Sequence, residues 1–411
     1  MHIRLVLFLI PLFLVTSNLF GIERRGPQFL SEPSYLIFPL PYSIAGIGQG
    51  VIVTGLAGNI GGTNMDAYVL GITGDAEGVM AAVEDIHLLP ELLILDIGQQ
   101  RISKAAVNHY ESRGMDSDME DYKLIEVNKV ITDTAQLTLS LLDRRVELYG
   151  AYWRQEAHII KVSDSKGNLI TKLDDPYISE QVQHRLGMLI DYTDDRINPK
   201  KGIRFGVEQI VSPESARNDP EFYTVDKSLT LYLPLGKTAT WAFHAFQSDA
   251  YVTNKGVTDP NIIRQELGFQ CLVGDTACLQ AEQELVDSFV AARKNGTATA
   301  LGGENRLRSY PGNRYNGAHT QHFATELRWN ISEEVHPFNF GIWKDVATGL
   351  QVALFYESGS VAETVGELGE ITRDSYGAGF RLVSASGYVY RADYAAGDEG
   401  EEMTVIFSYP W

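Results

Sequence analysis

The residues that could do chemistry are few, and they form no catalytic set. There is no Gly-x-Ser-x-Gly elbow, no His-Glu-x-x-His pair and no phosphate loop, so the chain is not expected to be an enzyme. His319 and His322 share a strand, but odd and even positions put them on opposite faces, which makes them a poor joint metal site. Asp194-Asp195-Arg196, followed by Asn198-Pro199 and Gly202, could suggest calcium. Asn and Pro ahead of Gly make a turn without any metal, and a strand-connecting turn is the reading preferred. The remaining reactive pair is Cys271 and Cys278, in Cys-Leu-Val-Gly-Asp-Thr-Ala-Cys. A metal site would want more ligands, and no His lies in that segment. In an exported chain the pair predicts a local disulfide that pins a loop. No metal and no cofactor are expected.

The elements that carry these residues alternate with period two. From Phe323 to Trp329 the odd positions read Phe, Thr, Leu, Trp, while His322, Ala324, Glu326, Arg328 and Asn330 form the other face. Leu350, Val352, Leu354 and Tyr356 oppose Gln351, Ala353, Phe355, Glu357 and Gly359. The pattern repeats at Tyr376–Leu382, at Tyr388–Tyr394 with Arg391 and Asp393 opposite the apolar face, at Leu229–Leu235 and at Leu186–Tyr192. One face suits lipid and the other a wet interior. Long strands of this kind in series, with Tyr and Trp near their ends and short turns such as Ala385-Ser386-Gly387, predict an all-β fold. The expected fold is a transmembrane antiparallel β-barrel of about 16 strands. In the first half, Gly48–Ala57, Thr63–Gly74 and Leu92–Gln100 read as strands and Ser112–Asp121 as an acidic loop.

Targeting agrees. Residues 1–21 read as a signal peptide, with a short apolar run too brief to cross a bilayer. Residues 22–44, with several prolines, are expected to form a short periplasmic segment, and 45–411 the barrel. At the other end Val405, Phe407, Tyr409 and Trp411 fall on one side of a strand, the apolar aromatic finish that a lipid-facing closing strand requires. The net charge of −19 and the lack of a clustered basic face exclude nucleic acid as a partner. Residues 253–317 interrupt the strands with a long loop that holds the cysteine pair and a helical stretch near Leu279–Lys294. A loop that long in a compact architecture points to function.

Within the loop lies Gly302-Gly-Glu-Asn-Arg-Leu-Arg-Ser-Tyr-Pro-Gly-Asn-Arg-Tyr315. Glu326-Leu-Arg328, Phe355-Tyr-Glu-Ser-Gly359, Ser375-Tyr-Gly-Ala-Gly-Phe-Arg381 and Asp194–Gly202 complete an ordered set. In order and spacing this set resembles the BamA/TamA superfamily of outer-membrane barrels, the bacterial surface antigen family, well over residues 183–411 and by pattern alone before that. The resemblance implies a 16-strand barrel whose sixth extracellular loop folds back into the lumen. It implies that the loop motif Leu307-Arg308-Ser309-Tyr310 sets Arg308 against an acidic wall residue, Glu357, beside Gly359. Alternation puts Glu357, Glu326 and Arg328 on the non-lipid face. Ser309 stands where the family has Gly, Glu357 where it has Asp, and Trp411 where it ends in Phe. An aromatic end made of Phe407, Tyr409 and Trp411 still fits. Residues 22–44 are too few for a POTRA domain of about 75 residues.

By resemblance the protein sits in the outer membrane of a Gram-negative bacterium. There it meets lipid and lipopolysaccharide, outer-membrane protein clients and a periplasmic or POTRA-bearing partner. The activity implied is insertion, assembly or translocation of proteins. A passive channel or structural surface protein that kept the barrel and lost the machinery is the alternative.

Overall fold

Strand pairing dominates the computed structural model. It describes residues 22–25, 28–29, 33–212, 219–268, 271, 275–332, 338–340, 343–346, 348–384, 389–407 and 409–411. The first half contributes β1 (Ser34–Ile44), β2 (Gly48–Gly58), β3 (Asp66–Gly74), β4 (Glu77–Leu89), β5 (Leu93–Tyr110), β6 (Tyr122–Leu141), β7 (Val146–Asp164) and β8 (Leu169–Thr193). The second contributes β9 (Gly202–Val211), β10 (Glu221–Leu235), β11 (Ala239–Asn254), β12 (His319–Ser332), β15 (Thr348–Ala362), β16 (Arg373–Ser384), β17 (Val389–Gly397) and β18 (Gly400–Phe407). These 16 strands form one closed antiparallel barrel, while β13 (Phe338–Phe340) and β14 (Trp343–Val346) form a separate two-stranded sheet.

The alternation in the sequence is the reason the sheet has two unlike faces. In β12, Phe323 and Trp329 point outward at 54% and 60% exposure, whereas Ala324, Glu326 and Arg328 are buried within the barrel. A wall that is apolar outside and charged inside inverts the soluble-protein pattern and suits a lipid surround. Among the described residues no helix is long and apolar enough to cross a membrane. One end of the barrel has short turns, such as 90–92 and 236–238, and also the β12–β15 connection that holds β13 and β14. The other end carries the long connections 111–121 and 255–318. β5 to β8 run 18 to 25 residues. A tilted strand needs only about 9–11 residues to cross a bilayer, so this part of the wall stands well beyond the belt.

The ring closes weakly. Every residue of β1 is paired with β2, but among the described residues β1 meets β18 in one ladder pair, Ser43↔Val405. Around that seam, the Tyr390 hydroxyl donates to Pro41 O at 3.0 Å, and the Phe407 ring sits 6.2 Å from Phe38 and 5.6 Å from Tyr390.

Three expectations are corrected. Residues 34–44, assigned to a separate N-terminal segment, are the first barrel strand: Pro39 and Pro41 are accommodated although neither can donate to a ladder. The barrel therefore starts at Ser34 rather than at residue 45. The long loop runs from 255 to 318, with one helix more than expected. The aromatic finish does not lie on one lipid-facing strand, because β18 ends at Phe407, and Tyr409 and Trp411 turn into the barrel interior. The signal peptide at 1–21, the turn 385–387 and Tyr388 lie outside the described residues.

Candidate functional site

The lumen loop is built as a helical cap followed by a descending strap. Helix α1 (Pro260–Leu267) starts where the Asp259 side chain accepts from Asn261 N at 2.8 Å, with Pro260 in the first turn where its missing N–H costs nothing. It stops at Gly268, whose φ of 67° a glycine takes without strain. Helix α2 (Thr276–Asn295) is capped by Asp275, which accepts from Cys278 N at 3.0 Å. A Cys271–Cys278 disulfide ties the linker that follows α1 to the first turn of α2. Replacing both cysteines by serine is expected to loosen this corner by about 2–3 kcal/mol, the chain entropy of so short a ring. Protease nicking between α1 and α2 should quicken while the heat-modifiable migration of the folded barrel stays unchanged.

Beyond α2 the chain enters the barrel. Leu301 and Tyr315 exchange backbone hydrogen bonds at 3.0 and 3.1 Å, and Gly303 N donates to Tyr310 O at 2.8 Å. The hairpin-like tip between them carries Leu307-Arg308-Ser309-Tyr310. Leu307 is the residue forced into the left-handed region, at φ 56°, while Ser309 is not, so a serine at that position costs no backbone strain. Leu301, Leu307, Tyr310 and Tyr315 pack with Val361 and Met115 as a small apolar core inside the lumen.

Arg308 reaches past that core into the wall. Its backbone N–H donates to Glu357 Oε2 at 2.8 Å and its Nε to Glu357 Oε1 at 3.0 Å. Its Nη1 donates to Asp393 Oδ2 at 2.8 Å and to Glu326 Oε2 at 3.1 Å, and its guanidinium lies 3.4 Å from the Phe355 ring centre. Arg328 Nε donates to Glu326 Oε1 at 2.8 Å, and Arg381 Nη2 to Glu326 Oε2 at 3.0 Å. Arg381 also donates to Asp393 Oδ1, and Arg391 Nη1 to Asp393 Oδ2 at 3.0 Å. All seven side chains are fully buried or nearly so. Four guanidiniums therefore face three carboxylates inside a closed wall. Buried ions are tolerated only when forked, charge-assisted hydrogen bonds replace the lost water, which is the service the Arg308 fork performs here.

The strap is fixed at further points. Ser309 N donates to Ser375 Oγ at 3.0 Å, and the Tyr310 hydroxyl donates to Asp374 O at 3.2 Å. Arg314 pairs with Glu399 at 2.6 and 2.8 Å and donates to Ser117 O at 2.6 Å. The segment Ser112–Asp121, expected only as an acidic loop, thus docks on the strap: Arg113 pairs with Glu363 at 2.7 Å and donates to Gly296 O at 2.9 Å. Gly359 has a plain steric role, since a Cβ there would stand 2.8 Å from Leu301 Cδ1 and 3.3 Å from Leu307 Cδ1. Gly359→Val is expected to cost about 1–3 kcal/mol by overpacking and to raise protease access to the strap in the folded barrel.

Of the residues singled out from sequence, the structure brings together Leu307, Arg308, Ser309, Tyr310, Glu357, Gly359, Glu326 and Arg328. Phe407 remains on the seam. Tyr409 and Trp411 join the same cluster from the turn end: the Arg328 guanidinium lies 4.2 Å from the Tyr409 ring centre and 5.1 Å from that of Trp411, and Trp411 stacks on His244 at 4.9 Å. Cys271 and Cys278 lie apart from it, in the cap. His322 is buried in the wall and His319 bonds Asp249 at 2.9 Å. Asp195 Oδ1 accepts from Ile197 N at 2.8 Å and Asn198 N at 2.9 Å, the hydrogen bonding of a turn. Asp393, Arg381, Arg391 and the Arg314–Glu399 pair were not named as site residues. The inward alternation of Arg381, Arg391 and Asp393 was the signal that could have found the first three.

A closed antiparallel barrel of 16 strands with a long loop ion-paired inside its lumen is the class of fold these observations define. The chain belongs to the Omp85 superfamily: the Omp85 superfamily domain matches residues 131–407. Among solved structures, it is similar to BamA from Haemophilus ducreyi lacking POTRA domains 1–3, at 12% identity and TM-score 0.49, over 92% of this chain and 70% of that one. It is also similar to CdiB from Escherichia coli, at 13% identity and TM-score 0.47, over 95% of this chain and 68% of that one. CdiB from Acinetobacter baumannii gives 11% identity and TM-score 0.47, over 92% and 60%. No curated protein matches the chain.

Proposed function

We propose that this protein resides in the outer membrane of a Gram-negative bacterium and inserts, assembles or translocates other polypeptides there. The loop end faces outside and the turn end the periplasm. The observation that carries the reading is the Arg308 fork, which closes the lumen with a strap held by buried charge. A passive pore gains nothing from a plug of that kind. A barrel that must stay sealed while resting, and rearrange when a client arrives, needs both a releasable strap and a weakly paired seam, and Ser43↔Val405 supplies the second. Unfolded outer-membrane proteins are the clients, lipid and lipopolysaccharide the surround, and a periplasmic or POTRA-bearing chain the partner that would deliver clients.

The test is reconstitution. Liposomes containing the purified barrel are supplied with an unfolded outer-membrane barrel, and its folding is followed by heat-modifiable migration. Folding several-fold faster than in empty liposomes supports the reading. Equal rates, together with a steady ion current from the same preparation, would establish the passive channel instead.

A further inference from the structure

The turn between β8 and β9, at residues 194–201, receives both flanks of the barrel seam. Counted from the β1–β18 seam, β8 is the eighth strand one way and β9 the eighth the other way, so this turn stands diametrically opposite the seam. On the amino-terminal side, Arg25 N donates to Asp194 O at 2.7 Å, Arg25 Nε donates to Asp194 Oδ2 at 2.8 Å, and Arg25 Nη2 donates to Asn198 O. Beside it, Arg24 Nη1 donates to Thr193 O at 3.2 Å. On the carboxy-terminal side, the Tyr409 hydroxyl donates to Asn198 Oδ1 at 2.9 Å. One asparagine thus holds the flank of β1 by its carbonyl and the flank of β18 by its side chain.

We propose that the 194–201 turn is the fixed point of a latch that crosses the turn-end mouth and holds the seam shut. The carboxy-terminal arm is short. Only two residue steps separate Phe407, the last residue of β18, from Tyr409, about 7 Å of chain at full extension. β18 therefore cannot swing from β1 by a strand spacing of about 4.8 Å without pulling the Tyr409 ring off Asn198 or Arg328. The amino-terminal arm from Arg25 to Ser34 is nine residue steps long. Room for the rings to leave exists: a cavity of about 290 Å³ lies between Ile197 and Pro199 of the turn, Tyr232 and Val389 of the wall, and Tyr409 and Trp411 themselves. The latch also touches the strap, because Arg328, caged by the Tyr409 and Trp411 rings, shares Glu326 with Arg308. Release at the periplasmic mouth and release of the lumen loop are thereby linked through one carboxylate.

The inference uses the barrel orientation proposed above but needs no client. The experiment is hydrogen–deuterium exchange on the full chain in lipid nanodiscs, comparing wild type, Tyr409→Phe and the Arg25→Ala/Tyr409→Phe double variant. Tyr409→Phe keeps the ring on Arg328 and removes only the hydroxyl, which bonds Asn198 Oδ1 at 2.9 Å and Gln351 Oε1 of β15 at 3.3 Å. Loss of the hydroxyl should speed exchange at the seam, residues 40–44 and 403–407, roughly three- to tenfold, and the double variant should exceed it. Amides in β6 and β7 should not change. Unchanged seam exchange in the double variant would overturn the latch, as would an equal rise in every strand, which reports general loosening. Seam exchange that rises as expected while client folding is unaffected would leave the latch standing and count against the function proposed above.

Discussion

Arg308→Ala is expected to turn a mostly closed barrel into one that conducts. The substitution removes the fork that joins the strap to Glu357, Glu326 and Asp393. Breaking one partner of a buried ion pair costs about 3–5 kcal/mol, because the other is left without compensation. Glu357 is the residue stranded, since its close ionic partner is Arg308, with His322 Nε2 at 3.9 Å beyond it. Arg328, Arg381 and Arg391 keep their bonds to Glu326 and Asp393, so the wall itself should hold. Single-channel recording in a planar bilayer beside wild type checks this. Wide, frequent openings in the variant identify the strap as the plug. Equal steady currents in both would mean that Arg308 holds nothing shut. Arg308→Lys should fall between them, because an ammonium cannot fork to three carboxylates in fixed geometry.

Glu326→Gln should do the reverse, weakening the wall more than it opens the pore. Glu326 accepts from Arg308, Arg328 and Arg381 at once. The amide keeps the shape but turns two donors toward arginines that need acceptors, and it leaves four guanidiniums facing two carboxylates. Like charges in a low-dielectric wall repel strongly, so a loss of about 3–5 kcal/mol is expected. The readout is the temperature at which the folded, fast-migrating band converts to the unfolded one. A fall larger than that of Arg308→Ala supports the assignment of Glu326 as the hub. A smaller fall would place the hub at Asp393, which binds Arg308, Arg381 and Arg391.

Much of this was legible because strands have period two. Alternation alone sorted Phe323 and Trp329 from Glu326 and Arg328, and the lumen side of Glu357 followed from the same count. The Arg308 motif was legible only through its resemblance to a family, because nothing local in Leu307-Arg308-Ser309-Tyr310 says where a loop folds back. Asp393 was missed as an anchor although its inward face was visible, since its partner lies 85 residues away in sequence. The fate of Tyr409 and Trp411 was misread for a different reason. Continuing the alternation past Phe407 predicted a lipid face, but cation–π contact with Arg328 and stacking on His244 draw both rings inward. β1 was misassigned because proline counts against a strand, and it is tolerated here at the seam, where β18 asks for almost no ladder.

The anchors of the strap also impose an order of events on folding. Arg308 lies between β11 and β12, yet it binds Glu357 on β15 and Asp393 on β17, and Ser309 binds Ser375 on β16. Each is supplied by a strand that enters the wall later in the chain, across 49, 85 and 66 residues respectively. Contacts so distant in sequence form late, since loop-closure entropy must be met before they contribute. The strap cannot seat until β15, β16 and β17, within the last quarter of the wall, are in place, so a docked Arg308 reports that the ring has grown that far. A barrel that closes with a strand missing or out of register would stay unplugged, and hence leaky.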